Sequence, residues 1–285
     1  MKFAITLSDR YLGVLDALQA RGWEAVKVFS APVDQRLHDN RATIAKATQQ
    51  GLPLQLSRLS ERDLAQLGDD GCELLVVASY RWRIGDWRPC LPAAINFHPS
   101  PLPLGRGPDP LVAAILRGET EWGVSCHRLD PELDAGPILK TRRFQLAFAE
   151  CRDSLDLKVQ MQMAQLAGEI ADDFPGAWAA AEAQAEGEYF PQWTEAEREL
   201  DFTRPLEDLQ RQLRAFAGIE CSATINGQQI QVGRTVGWHE WHQHRPGALV
   251  HADGLRMVVA VPDGYLGILE WSLLHADAIT GNLRR

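Results

Sequence analysis

The chain has 285 residues, 45% hydrophobic and 24% charged, a globular balance that excludes wholesale disorder. At roughly 100 to 200 residues per domain, the length suggests two domains. A formal charge of −9 and a pI near 5.4 argue against a protein built mainly to grip a phosphate backbone, since that rests on clustered Lys and Arg. The apolar runs fall far short of the ~20 residues that cross a bilayer. The N-terminus, Met1-Lys2-Phe3-Ala4-Ile5-Thr6-Leu7-Ser8-Asp9, meets a charge before a signal-peptide core could develop, and reads as a first strand. Cys72, Cys90, Cys126, Cys151 and Cys221 are scattered with no Cys-x-x-Cys pair, so a reducing cytoplasm with buried thiols is expected.

In chain order, the pattern predicts a strand over 2–8 and a helix over 11–22, with Leu12, Leu15 and Leu18 at helical spacing. A strand over 25–29, a helix over 40–50 ended by Gly51 and a short strand over 53–56 follow. A helix opened by Ser60 runs over 60–67, and strands cover 74–79 and 94–98. Strands alternating with helices predict an α/β, Rossmann-like, mostly parallel sheet with both faces covered. The segment 151–185, rich in Ala, Leu, Met and Gln, reads as helix with a break near Pro175-Gly176. Residues 190–205 read as a polar linker, and 206–217 as a helix closed by Gly218. Short strands over 222–225, 229–232, 248–251, 255–261 and 266–271 then alternate with Asn226-Gly227, Asp253-Gly254 and Asp263-Gly264, residue pairs that accept the positive φ of tight hairpins. The expected layout is a catalytic domain over 1–189, a linker over 190–205 and a small C-terminal β-barrel, OB-like, over 206–285. Residues 1–190 carry 20 basic and 26 acidic side chains, and 191–285 carry 9 and 12, so neither part is basic.

The junction after the first strand, Ser8-Asp9-Arg10-Tyr11-Leu12-Gly13, has one glycine where a dinucleotide fingerprint needs three, and no P-loop motif occurs, so the fold should serve another ligand. The informative stretch is Asn96-Phe97-His98-Pro99-Ser100-Pro101-Leu102-Pro103-Leu104-Gly105-Arg106-Gly107. Side chains two apart on a strand share a side, so Asn96 and His98 should emerge together at a strand end, where α/β sheets place ligands. Three prolines then forbid helix and central strand and stiffen the loop. About 30 residues on, Leu133-Asp134-Ala135-Gly136-Pro137-Ile138-Leu139 places Asp134 on a tight loop within reach of a neighbouring strand end.

These motifs, Asn96-x-His98-Pro99-Ser100, Leu102-Pro103, Arg106-Gly107 and the run 133–139, resemble the signatures of the folate-dependent formyltransferases, which include glycinamide ribonucleotide, methionyl-tRNA and sugar-amine formyltransferases. The resemblance covers most of 1–185. Leu206–Phe216 and the barrel-like tail resemble the two-domain layout of the methionyl-tRNA enzymes. It implies transfer of a formyl group from N10-formyltetrahydrofolate to an amine through a tetrahedral intermediate, without a metal. Asn96 and His98 would stabilise the negative oxygen, by ~3 to 4 kcal/mol for a well-placed donor. Asp134 would orient the imidazole and relay the amine's proton. It further implies a folate site lined by Arg81, Trp82, Arg83 and Ile84 and by Leu129, Asp130, Leu133 and Asp134, with Ser100 and Arg106 toward the acceptor. Two positions depart from the family pattern: Pro101 stands in the usual Ser-Leu-Leu-Pro, and Gly105 where an aromatic residue often precedes Arg/Lys-Gly.

Charge favours a small-molecule amine, such as an amino sugar nucleotide or an amino-acid-derived metabolite, over tRNA, because 30–40 and the C-terminal part lack a basic excess. A methionyl-tRNA formyltransferase is the alternative. Further alternatives are a formyltetrahydrofolate hydrolase, whose relatives carry an N-terminal regulatory domain, and a non-catalytic folate-binding or interaction module. A homodimer is compatible with the tail. The tract Trp238-His239-Glu240-Trp241-His242-Gln243-His244 is read as a polar connection with aromatic packing, since no cysteine or paired carboxylate completes a metal set.

Overall fold

A computed structural model describes residues 1–31, 40–216 and 221–274. The helix stop expected at Gly218 and most of the stretch 30–40 weighed for basic charge lie outside them. The chain divides into two compact units, one of Met1–Pro110, Glu121–Gln145 and Asp156–Phe190, the other of Leu111–Thr120, Leu146–Leu155 and Pro191–Arg285.

The first unit is built on strands β1 (Lys2–Leu7), β2 (Glu24–Phe29), β3 (Leu54–Gln55), β4 (Leu74–Ala78), β5 (Ala93–His98), β6 (Leu104–Arg106), β7 (Glu121–Arg128), β8 (Ile138–Gln145) and β9 (Glu188–Tyr189). Seven of them form one sheet in the order β3-β2-β1-β4-β5-β7-β8, while β6 pairs with β9. The first five are parallel, and β7 and β8 run antiparallel. β4 is buried along its whole length, which is why it reads as a continuous apolar run with no alternation.

The helices are α1 (Leu12–Gln19), α2 (Arg41–Gln50), α3 (Glu61–Asp69), α4 (Pro110–Arg117), α5 (Arg152–Asp172), α6 (Phe174–Ala179), α7 (Glu195–Arg198) and α8 (Leu206–Ala215). α3 starts at a capping box in which Ser60 and Asp63 satisfy each other's backbone N–H. The order β2-β1-β4 places a switch point between β1 and β4, the crevice where open α/β sheets bind ligands at the carboxyl ends of their strands.

The long helix expected over 151–185 stops earlier. Asp173 caps a new helix by accepting from the Gly176 N–H, and Pro175 sits in its first turn, so α5 ends at Asp172 and α6 runs to Ala179. Beyond that the chain leaves the helix, and the alanine content over 180–185 does not prevail. Residues 190–205, read as a linker, contain α7 with its own Thr194–Glu197 capping box and bury Leu200 and Phe202.

In the second unit, β10 (Cys221–Ile225), β11 (Gln228–Val232) and β16 (Trp271–Leu273) form one antiparallel sheet. β12 (Thr235–His239), β13 (Leu249–Ala252), β14 (Met257–Val261) and β15 (Gly264–Ile268) form another. The strand at β12 overturns the reading of Trp238 and His239 as a connection. The strand expected to begin at 255 starts at Met257, because the Asp253 carboxylate takes the N–H groups of Leu255 and Arg256 in a turn. No helix among the described residues is long and apolar enough to cross a membrane.

Candidate active site

A cavity of about 670 Å³ opens at the carboxyl ends of β1, β4 and β5, lined there by Arg10 and Tyr11, by Val77 and Ser79, and by Asn96 to Pro99. Its volume suits a drug-sized or cofactor-sized ligand. Asn96 and His98 both reach it, as their spacing on β5 predicts, and Asp134 arrives from the loop after β7. Asp134 holds a left-handed backbone, φ 54°, one of three non-glycine residues with positive φ among those described.

One carboxylate oxygen gathers the polar side chains. Asp134 Oδ1 lies 3.3 Å from Asn96 Nδ2, 3.4 Å from His98 Nδ1 and 3.7 Å from His127 Nε2. Its other oxygen, Oδ2, accepts from the Gly107 N–H at 2.9 Å. Burial raises the Asp134 pKa, but the His127 contact, His98 and the Gly107 N–H together outweigh it and hold the carboxyl below its usual range. Asp134 is therefore a carboxylate at neutral pH.

His98 is fixed through Nε2, which donates to the Gly105 carbonyl at 2.8 Å. Nδ1 is the ring atom left for chemistry. Burial lowers the His98 pKa, and His127 adds to this, against the raising effects of Asp134 and the Gly105 carbonyl. The ring is then neutral at pH 7 with a lone pair on Nδ1. The departure at Gly105 has a use here: its φ is +79°, and an added Cβ would stand 2.9 Å from the Ser100 Cβ, so glycine lets this carbonyl turn to His98.

The proline loop is fastened from β7. Trp122 Nε1 donates to the Pro99 carbonyl at 2.9 Å, and Ser125 Oγ donates to the Ser100 carbonyl at 2.8 Å while accepting from the Leu102 N–H at 3.0 Å. His127, which none of the sequence motifs includes, lies opposite Asn96 in the β5–β7 register. Its Nδ1 donates to the Arg128 carbonyl at 2.8 Å, and Asn96 Nδ2 donates to its Nε2 at 3.0 Å. That bond sets which way the Asn96 amide faces. The signal for it was a histidine near the end of a largely buried strand, two residues after Ser125.

All the residues expected at a folate, Arg81, Trp82, Arg83, Ile84, Leu129, Asp130, Leu133 and Asp134, line the cavity. Two loops supply them. Arg83 Nη2 donates to the Pro131 carbonyl at 2.8 Å, and Trp87 Nε1 to the Leu129 carbonyl at 3.3 Å, tying the loops together. Ser100 and Arg106, expected toward the acceptor, do not line it. Ser100 is fully buried, and the Arg106 guanidinium is directed at Gln184 Oε1, 3.1 Å from Nε and 3.0 Å from Nη2. Arg10 and Tyr11, from the junction that has one glycine where a dinucleotide fingerprint needs three, also line the cavity. The buried Tyr11 hydroxyl has no hydrogen-bond partner among the described residues, and burial pushes its pKa up to about 12. Among the described residues no group of three His, Cys, Asp or Glu could hold a metal ion.

A family model described as Formyl transferase matches residues 3–167, and one described as Formyl transferase, C-terminal domain, matches 192–282. The methionyl-tRNA formyltransferase of Thermus thermophilus is 32% identical over 90% of this chain and 86% of its own length. Those of Pseudothermotoga lettingae and Myxococcus xanthus are 31% and 33% identical over 61% and 62% of this chain, and the matches span only 58% and 57% of their lengths. An N-formyltransferase from Helicobacter canadensis, solved with folinic acid and dTDP-3-aminofucose, superposes with a TM-score of 0.70 at 14% identity, covering 95% of this chain and 99% of that one. HypX from Aquifex aeolicus, solved with tetrahydrofolic acid, gives a TM-score of 0.67 at 19% identity, covering 98% of this chain and 47% of that one. At such identities the structural likeness is one of fold. Both family models match in chain order and the Thermus relative aligns along most of its length: the chain belongs to the formyl transferase family.

Proposed function

We propose that this protein transfers a formyl group from N10-formyltetrahydrofolate to the primary amine of a small molecule. The observation that carries the reading is the meeting of Asn96, His98 and His127 on Asp134 Oδ1 at the wall of a cavity large enough for a pterin. The lining fits the donor: Trp82, Ile84, Leu129 and Leu133 offer apolar cover on two tied loops, and no metal is needed for the chemistry. Bound there, N10-formyltetrahydrofolate supplies an activated formyl carbon on a nitrogen leaving group.

The chain's own groups divide the rest. His98 Nδ1, neutral through burial, takes a proton from the attacking amine, Asp134 stabilises the imidazolium that results, and the imidazolium returns the proton to the N10 nitrogen as the formyl C–N10 bond breaks. Asn96, whose amide is oriented by His127, redirects the N–H it holds at 3.3 Å from Asp134 Oδ1 to the oxygen on which negative charge develops. Arg10 and Tyr11 face the space left for the acceptor.

The acidic balance supports a small acceptor: 191–285 carries 9 basic and 12 acidic side chains, against the basic surface that tRNA wants. The second reading, formylation of methionyl-tRNA, is favoured by the names of the relatives and by the match of both domains. Incubating the protein with N10-formyltetrahydrofolate and a panel of amines, amino sugar nucleotides, amino-acid-derived amines and charged tRNA included, tests both. A mass gain of one formyl group on a small amine is expected. Gain on tRNA alone, with salt-sensitive submicromolar binding, replaces the first reading with the second, and no gain on any amine removes both.

A further inference from the structure

After α6 the chain passes back along the cavity's supporting loops. Ile138 and Glu182 exchange two backbone hydrogen bonds, at 2.8 and 3.0 Å, and the Phe190 N–H donates to the Arg106 carbonyl at 2.7 Å. The segment between them is thus tethered at both ends. In its middle Gln184 uses its whole amide. Nε2 donates to the carbonyls of Asp134, at 2.8 Å, and Gly136, at 2.7 Å. Oε1 receives the Arg106 guanidinium in a fork, at 3.1 Å from Nε and 3.0 Å from Nη2, and the same Nη2 also donates to the Ala185 carbonyl at 3.2 Å.

Arg106 ends β6, next to Gly107, whose N–H holds Asp134 Oδ2. Gly107 is confined as well: an added Cβ would come 2.3 Å from the Phe190 carbonyl oxygen. Asp134 sits at a positive φ, and its own carbonyl and that of Gly136 both take their donor from Gln184. One side chain meets both needs and joins the loop carrying the carboxylate to the strand end carrying the N–H that orients it.

We infer that Gln184 is a positioning residue, a clamp that binds the Asp134 loop to Arg106 and so fixes the carboxylate against Asn96 and His98. The inference rests on the role proposed for Asp134. It also accounts for Arg106, which holds the clamp and does not meet the acceptor. Only an amide serves at this position. A carboxylate would keep Arg106 but turn an acceptor toward two carbonyl oxygens, and a thioether would leave all three partners empty.

The test compares Gln184→Met and Gln184→Glu with Asp134→Asn. Formyl transfer is followed to the amine found in the panel above, donor-site binding is probed with folinic acid, and the His98 ring is titrated by NMR in ligand-free protein. The groups facing that ring are Asp134 and His127. A carboxylate displaced by an ångström should cut kcat roughly 10²-fold. Folinic acid affinity should stay near wild type. The His98 midpoint should move to lower pH, since Asp134 is a charge that holds it up. Wild-type kcat and an unmoved His98 midpoint in both folded variants would overturn the inference. So would loss of cooperative melting in both, which would make Gln184 a folding residue. If Asp134→Asn is inactive while the Gln184 variants match wild type, only the clamp is wrong; if Asp134→Asn transfers normally, the reading of the whole site fails.

Discussion

His98 Nδ1 stands 3.4 Å from Asp134 with both side chains 6% exposed, and His239 Nδ1 stands 3.3 Å from Asp263 with side chains 65% and 40% exposed. Near-equal distances join the same residue types in the two units, in opposite surroundings. Around His98, burial leaves a neutral ring, held by the Gly105 carbonyl, beside an ionised acid. Around His239, water screens the contact, and Nδ1 also donates to the Asp263 backbone carbonyl at 3.2 Å. Next to it, His242 Nε2 donates to the carbonyls of Val261 and Gly264, at 2.9 Å each, while Nδ1 accepts from the His244 N–H at 3.1 Å. That ring staples a turn. Desolvation with one ring nitrogen left open to the cavity, and not a histidine near a carboxylate, is what separates a chemical group from a structural one.

The sharpest way to break this contrast is to delete each histidine. His98→Ala should lower kcat by roughly 10² to 10⁴, the range for a positioned general base, while His239→Ala leaves single-turnover transfer unchanged. Equal losses would mean that burial does not discriminate. Asn96→Ala should cost roughly 10² to 10³ in kcat, as removal of one oxyanion donor does. The pH profile comes next. His98 must be neutral to accept a proton, so the rate falls as pH drops through its midpoint. Because burial puts that midpoint below the ordinary imidazole value, wild type should stay active at pH values where an exposed histidine is already protonated. Asp134 raises the midpoint, so in Asp134→Asn the residual activity should keep its acid limb at lower pH still. A limb that moves upward would reverse the assigned charge relation.

The sequence made the central contrast legible at Asn96, His98 and Asp134, because a two-residue period, a proline loop and an Asp-x-Gly turn each have a local physical signature. It also exposed both loops that line the cavity. His127 escaped because its importance comes from register: it faces Asn96 only once β7 runs antiparallel beside β5, 31 residues away in sequence. Gln184 lies 50 residues from Asp134 in an alanine-rich stretch that helix propensity claims, yet α6 ends at Ala179 and the backbone of Glu182 pairs with Ile138 instead. Ser100 and Arg106 were expected toward the acceptor from the family resemblance; neither lines the cavity, Ser100 being buried and Arg106 directed at Gln184. The Asn-Gly and Asp-Gly turns marked most strands of the second unit, whereas β12, with its glycine and exposed aromatics, lacks an alternating apolar pattern to mark it.

Smaller effects sharpen the comparison from outside the cleft. His242→Ala should destabilise the second unit by about 1 to 3 kcal/mol, the cost of leaving carbonyls without a donor, and leave formyl transfer untouched; denaturant melts paired with activity measure both. Asp63 supplies the matching control in the first unit. Burial raises its pKa, but the Ser60 hydroxyl and N–H, at 2.6 and 2.8 Å, with Gln55 and Lys27, outweigh it and hold the carboxyl well below the usual carboxylate range. A depressed carboxylate stabilises the fold above its unfolded pKa of ~3.9, and that stability is lost as pH falls toward the folded value. Ser60→Ala removes the cap and should cost about 1 kcal/mol at neutral pH. The gap to wild type should shrink below about pH 4, where Asp63 of the unfolded chain begins to protonate, while the variant's kcat matches that of wild type at each pH. A strongly shifted acid that alters stability and not turnover would confirm that a perturbed titration marks chemistry only where it opens onto the cavity. A fall in kcat with Ser60→Ala would instead tie α3 to the folate loops through the Leu59 N–H, which donates to the Tyr80 hydroxyl at 2.6 Å.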